Sequence, residues 1–294
     1  MPGAREVFIR VNSGLGNQMF QYAFGFSLAK RTSSTLRLLI DSPLAFSRRP
    51  FQLQHFPISA QVASNLSHAV LNRRIYRHLT RAHRYLPLVP PLFQETKKYR
   101  FDESVLRLEP PVLCEGFWQC PGYFLADRQE VQKEFRIAAP LSPHARHWQE
   151  RIDGSEAIVI HVRRGDYSEA GSAFRVLDEA YYRKAYSCLM ERLGSRKTSL
   201  FVFSDDPQWA HKVLGFLPRL ELVSGDRSLE PIDEFALMVR GRHFILANST
   251  YSWWAAFLGE KEGSSICLPR DWLLRDDMST ASLALPGWTR IDPR

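Results

Sequence analysis

A chain of 294 residues with 45% hydrophobic and 24% charged residues can bury a full core, and its composition excludes a disordered or fibrous protein. Its formal charge of +8 and pI near 9.5 favour anionic partners such as nucleotides, nucleic acid or acidic membrane surfaces, without choosing among them. Cys114, Cys120, Cys188 and Cys267 lack a paired metal-ligand spacing, and no apolar leader precedes the first strand-like stretch, so reduced thiols and a cytoplasmic protein are expected.

Residues 6–11 read as a strand, followed by a glycine-rich turn, a helix over 18–30 and a second strand at 36–40. In Gly14-Leu15-Gly16-Asn17-Gln18, the glycines permit a tight turn at which backbone amides can approach an anion. The dinucleotide fingerprint is not met: Met19 stands where its next glycine belongs, Lys30 is no acidic ribose ligand, and a Walker lysine is absent. Asn17 and Gln18 can orient a sugar or phosphate, or cap the helix.

Pro43, Pro50 and Pro57 then interrupt regular structure ahead of a basic helical segment at 63–83. Its Arg73, Arg74, Arg77, Arg81 and Arg84, with Lys97, Lys98 and Arg100 further on, suit an acidic membrane surface, the approach of an anionic substrate, or plain solubility. With no nucleic-acid-binding motif, nucleic acid is not an expected partner. Pro87, Pro90 and Pro91 precede the segment Leu113-Cys114-Glu115-Gly116-Phe117-Trp118-Gln119 and a helix over 127–135, and Pro140 and Pro143 mark a break.

From residue 157 the pattern becomes βαβα. Strands are predicted at 157–160, 200–203, 220–223, 244–247 and 266–268, with helices at 178–192, 209–214, 233–240 and 253–258. A parallel sheet covered by helices follows. The stretch 244–258 is broken by Asn248, Ser249, Thr250 and Ser252 and is too short for a membrane span. The expected architecture is α/β, with two Rossmann-like domains over residues 1–150 and 151–294 facing a cleft; a single large α/β domain is the rival.

The segment His161-Val162-Arg163-Arg164-Gly165-Asp166-Tyr167 directly follows the β-branched run at 157–160. Two guanidiniums therefore stand where a buried strand opens into a loop, the usual ligand edge of α/β proteins, and their donor forks suit a diphosphate. Asp205 and Asp206 follow a strand and can accept from a nucleobase or ribose, or cap the next helix ahead of Pro207. Their spacing and the absence of a histidine cluster assign no metal. Asn248, Ser249 and Thr250 stand at a helix entrance, where amides and hydroxyls bind phosphate or simply cap. Trp253 and Trp254 are expected to pack the helix on the sheet, and Tyr251 stays unassigned. Asp166 is a candidate for the proton acceptor or for an ion pair that fixes the arginines.

The ordered set Gly14-Leu15-Gly16-Asn17-Gln18-Met19-Phe20-Gln21-Tyr22-Ala23, Gly116-Phe117-Trp118-Gln119, His161-Val162-Arg163-Arg164-Gly165-Asp166-Tyr167, Phe203-Ser204-Asp205-Asp206 and Asn248-Ser249-Thr250-Tyr251-Ser252-Trp253-Trp254 resembles the bacterial α-1,2-fucosyltransferase family. The resemblance implies a GT-B-like fold with a nucleotide-sugar cleft between the domains. It also implies a metal-independent, inverting transfer of fucose from GDP-fucose to the 2-hydroxyl of a β-galactoside. Arg163 and Arg164 would hold the diphosphate and Asp205, Ser249 and Thr250 would line the donor pocket. Asn17, with Gly14 and Gly16, would meet the donor from the N-terminal side. The implied acceptor is an oligosaccharide or lipid-linked glycan, reached at the inner face of the membrane if the basic segments engage it. Where the family carries a histidine–glycine pair, this chain reads Ser168-Glu169-Ala170-Gly171-Ser172-Ala173. The readings to be separated from it are a non-catalytic nucleotide-sugar-binding module and a transferase of another GDP-sugar.

Overall fold

A computed structural model of the protein describes residues 5–40, 50–63, 89–137, 140–168, 172–226, 228–274 and 278–294, with Asp166 described by its backbone alone. The expected basic helix at 63–83, its first residue apart, and its arginines lie outside the described residues, as do residues 169–171. The chain divides into two units, Met1–Arg136 and Ile137–Arg294.

In the first unit, β1 (Glu6–Val11), β2 (Thr35–Ile40), β3 (Gln61–Val62), β4 (Leu92–Gln94) and β5 (Val112–Glu115) form a sheet in the order β3-β2-β1-β5-β4. All its pairs are parallel, with Ile9 opposite Leu38 on one side and Cys114 on the other. β1 carries Val7, Phe8, Ile9 and Val11 into the core, the near-continuous apolar run of a strand covered on both faces. The connecting helix α1 (Leu15–Arg31) lies so close to the sheet at Gly25 that a methyl group there would collide with Ile9.

Helix α1 begins three residues before the predicted start. Gly14 is its N-cap, with φ −74° and ψ 165°, and Gly16 lies inside the first turn. The left-handed residue of the turn is Ser13, at φ 69°. The glycine segment is thus a helix entrance whose Gly14 carbonyl accepts from the Asn17 and Gln18 amides, both at 3.0 Å. The unit's last helix is α2 (Arg128–Glu134).

In the second unit α3 (Pro143–Asp153) precedes strands and helices that alternate up to the last two strands. The elements are β6 (Glu156–Val162), α4 (Glu179–Leu193), β7 (Thr198–Ser204), α5 (Pro207–Val213), β8 (Leu220–Leu222), α6 (Pro231–Val239), β9 (His243–Ile245), α7 (Thr250–Gly259), β10 (Ile266–Pro269) and β11 (Thr289–Ile291). The sheet is parallel, in the order β11-β10-β9-β6-β7-β8. The predicted α/β fold with two parallel sheets is therefore present.

Helix α3 was not predicted, and the expected boundary at residue 150 falls inside it. Ser142 Oγ caps it by accepting from Ala145 N at 3.2 Å, Pro143 fills its first turn, and Ala145 and Ile152 are buried where it packs against α6 and β6. Pro143 thus opens a helix of the second unit, the position at which proline's missing N–H is harmless.

Candidate active site

The second sheet starts at β6, runs outward through β7 and β8, and returns to place β9 on the other side of β6. The strand order reverses between β6 and β9, and ligand crevices of open parallel sheets form beyond the carboxyl ends of the strands at such a point. The segments leaving this edge are those the sequence singled out: residues 163–168 after β6, 205–206 after β7 and 246–250 after β9.

β6 and β7 pair in register to Val162 opposite Ser204, and the side chains beyond continue that register one for one. Arg163 Nη1 lies 2.8 Å from Asp205 Oδ2, and Arg164 Nη1 lies 2.7 Å from Asp206 Oδ2. Asp205 Oδ1 also accepts the Arg164 backbone N–H at 2.9 Å, so one carboxylate holds both a guanidinium and the loop that carries the next. Gly165 makes this approach possible, since a Cβ there would run into the Asp205 carboxylate.

Of the two aspartates, one of which was expected to cap the helix ahead of Pro207, it is Asp206 that does so, accepting from Trp209 N at 3.0 Å. Trp209 in turn lies under the Arg164 guanidinium, 5.4 Å from ring to cation, a cation–π contact between residues far apart in the chain. The Trp209 amide, and after it Arg164, hold the Asp206 carboxyl below its ordinary range.

Tyr167, quoted in the motif but given no role, joins the two sides of the reversal. Its hydroxyl donates to the Asn248 carbonyl at 3.0 Å, its ring lies 5.4 Å from the Arg163 guanidinium, and it stacks on Phe174 at 4.5 Å. Asn248 itself is fully buried and donates through Nδ2 to the carbonyls of Arg175 and Trp272, at 2.8 and 2.9 Å. Its side chain is therefore a brace between loops. Ser249 caps α7, accepting from Tyr251 N at 3.3 Å, and Thr250 opens the helix. A capping role and an amide-rich helix entrance coincide there. The Asp166 side chain lies outside the described residues.

His161 is buried against this edge, and burial, reinforced by Arg163, pushes its imidazole down to about 3. It is neutral at physiological pH and a poor proton acceptor. Tyr251 donates to Pro231 O at 2.8 Å, with burial and then Glu234 holding its phenol well above the ordinary range, so it ties α7 to α6. Trp253 and Trp254 are fully buried, as expected, and Trp253 Nε1 donates to Leu283 O at 2.7 Å.

In the first unit Asn17 Nδ2 donates to Ser13 Oγ at 2.9 Å, and Asn17 Oδ1 accepts from Gln119 Nε2 at 2.7 Å. Gln18 joins the turn to a distant segment, donating to Ser13 O and Pro50 O and accepting from Gln52 N. Both amides of the motif therefore brace the turn. Among the described residues, no group of three or more His, Cys, Asp or Glu side chains could hold a metal ion, and no helix is long and apolar enough to cross a membrane.

The model of the family described as "Glycosyl transferase family 11" matches residues 100–292, from before β5 through the whole of the second sheet. The chain belongs to glycosyl transferase family 11. An Escherichia coli alpha-1,2-colitosyltransferase is 26% identical over 97% of this chain and 99% of its own length. The Bos taurus galactoside 2-alpha-L-fucosyltransferase SEC1 is 28% identical over 56% of this chain and 47% of its own. Among solved structures, a mutant Arabidopsis thaliana FUT1 in complex with GDP covers 94% of this chain and 74% of that chain, with a TM-score of 0.52 at 13% identity. That likeness is one of fold and agrees with a GT-B-like pair of parallel-sheet domains.

The bonds around Asp206 give a pH-dependent test. A carboxylate held below its ordinary pKa contributes stability fully above the unfolded value of about 3.9 and loses it as pH falls through the folded value. Replacing Asp206 by Ala should lower the unfolding free energy by about 1 kcal/mol at neutral pH. Urea unfolding of wild type and variant should show this gap closing in acid; an equal gap at neutral and strongly acid pH would assign the loss to something other than the ionised cap.

Proposed function

We propose that the protein is an inverting glycosyltransferase that moves fucose from GDP-fucose to the 2-hydroxyl of a β-galactoside, forming an α-1,2 linkage. The observation that carries this reading is the pair of guanidiniums at the strand-order reversal, each aligned by its own carboxylate. As the bond from the sugar anomeric carbon to the diphosphate breaks, negative charge grows on the leaving oxygen. Charges already fixed in place stabilise that change without reorganising. Arg163 and Arg164 take this role, aligned by Asp205 and Asp206, and the α7 entrance at Ser249 and Thr250 supplies amides to the donor. The acceptor hydroxyl attacks the opposite face of the sugar, which inverts the anomeric centre, and Asp166 is the candidate to receive its proton.

In this reading the first unit serves the acceptor side and the second the donor side, with Asn17, Gly14 and Gly16 as the first unit's candidates to contact the donor. Guanidiniums and helix-terminal amides supply the charge that a metal ion would otherwise provide. The acceptor is an oligosaccharide or lipid-linked glycan. A second donor is favoured by one comparison: the E. coli relative that spans 97% of this chain is named a colitosyltransferase. A GDP-linked sugar of that kind is the competing substrate.

The deciding assay offers GDP-fucose and GDP-colitose separately to a panel of β-galactosides with EDTA present and determines the product linkage. An α-1,2-fucosylated product formed in EDTA is the expected result. Transfer from GDP-colitose alone would change the donor, activity restored only by Mg or Mn ions would end the metal-free scheme, and GDP-sugar binding without any transfer would make the protein a binding module.

Arg164→Ala tests the electrostatic assignment. The variant should fold, because Arg164 is partly exposed, yet lose about 10^2-fold or more in turnover at saturating donor. Unchanged turnover would remove Arg164 from the leaving group.

A further inference from the structure

The first sheet has its own strand-order reversal, between β1 and β5. The segments leaving that edge are tied together by side-chain amides. Gln21 Nε2 donates to Gly116 O at 3.0 Å, Gln21 Oε1 accepts from Asn12 N at 3.0 Å, and Gln119 reaches Asn17. Residues 116–119 are held there under backbone strain. Trp118 adopts φ 56°, an uncommon conformation for a bulky side chain. Its indole is fully buried and stacks on Phe24, with centroids 3.9 Å apart and planes within 9°.

The group that enforces this conformation is Glu95, just past β4. Its Oε2 accepts from Phe117 N at 2.7 Å and its Oε1 from Trp118 N at 3.1 Å. Gly116 packs so tightly on Glu95 that a Cβ would collide with it. Burial raises the Glu95 carboxyl, while the two amides act in the opposite direction. Strained backbone that its surroundings over-determine is concentrated at ligand sites. What this construction presents is Phe117, an aromatic residue left 37% exposed between the buried Trp118 and the strand end. Gln119, two residues further on, carries an amide with more donor and acceptor capacity than the bond to Asn17 uses.

We propose that Phe117 and the Asn17–Gln119 amide pair form a sugar subsite for the acceptor, with Glu95 as its positioning residue. The ring receives the C–H face of a pyranose and the amides take its hydroxyls, the combination of apolar wall and few polar groups that small-ligand sites use. This rests on the transferase reading and adds where the acceptor binds. It also gives a function to the Gly116-Phe117-Trp118-Gln119 motif.

Steady-state kinetics with GDP-fucose and methyl β-galactoside should show acceptor KM rising about tenfold or more in Phe117→Ala, the loss expected for one aromatic contact. Donor KM and kcat should change little. Phe117→Tyr should restore the acceptor KM, and Glu95→Gln should raise it while leaving GDP affinity unchanged. An unaltered acceptor KM in Phe117→Ala, or equal losses in Phe117→Ala and Phe117→Tyr, would overturn the subsite. Saturation-transfer NMR of methyl β-galactoside on wild type and Phe117→Ala with GDP separates this from the activity. If no GDP-sugar is turned over, a signal lost in the variant still supports the subsite, and a signal equal in both proteins or absent from wild type overturns it.

Discussion

Two guanidiniums on consecutive residues repel each other, and a protein that holds them at the mouth of a buried strand must neutralise them locally. The second unit does so through strand register. Because Val162 pairs with Ser204, the residues that follow meet as Arg163 with Asp205 and Arg164 with Asp206, so the four charges cancel in two neighbouring pairs. A slip of β7 by one residue would separate both pairs and exchange the side chains on its two faces. The electrostatics of the site therefore depend on the packing of β6 and β7, whose residues Ile158, Ile160, Val162, Leu200 and Val202 share one core cluster.

The same register explains how other parts converge. Asp205 reaches the Arg164 amide only because Gly165 leaves room, and Asp206 caps α5 while pairing with Arg164. Tyr167 carries the arrangement across the reversal to Asn248, the residue before the Ser249 cap. Each sheet has a reversal of strand order at its carboxyl edge, β1/β5 in the first and β6/β9 in the second, and in each the loops at that edge are braced by long-range side-chain bonds. In the proposed reading the charged edge of the second sheet serves the donor and the edge of the first serves the acceptor.

Much of this was legible in the sequence because it is local. The β-branched run before Arg163 marked β6, the alternation beyond it marked a parallel sheet, and Asp206 before Pro207 marked a cap. Short edge strands were not legible: Gln61–Val62, Leu92–Gln94 and Thr289–Ile291 are too brief to show a period. Helix α3 escaped because its prolines read as a break, although Ser142 and Pro143 are a helix start. Contacts between distant residues were the larger omission. Nothing in a linear reading pairs Arg163 with Asp205, sets Trp209 under Arg164, or sends Glu95 to the Phe117 and Trp118 amides. The glycine motif misled in the other direction, since the left-handed residue of that turn is Ser13 and Gly14 caps a helix.

On the proposed reading, the Arg163–Asp205 and Arg164–Asp206 pairs hold a diphosphate site ready before the ligand arrives. Isothermal titration of the wild-type protein with GDP, GMP and guanosine under one salt condition tests it most directly. GDP should bind at least about tenfold more tightly than GMP, because charge-assisted bonds to the second phosphate contribute about 1.5–3 kcal/mol each, and guanosine should bind more weakly still. Equal affinity for GDP and GMP would contradict it, leaving the paired arginines as a structural feature of the sheet edge.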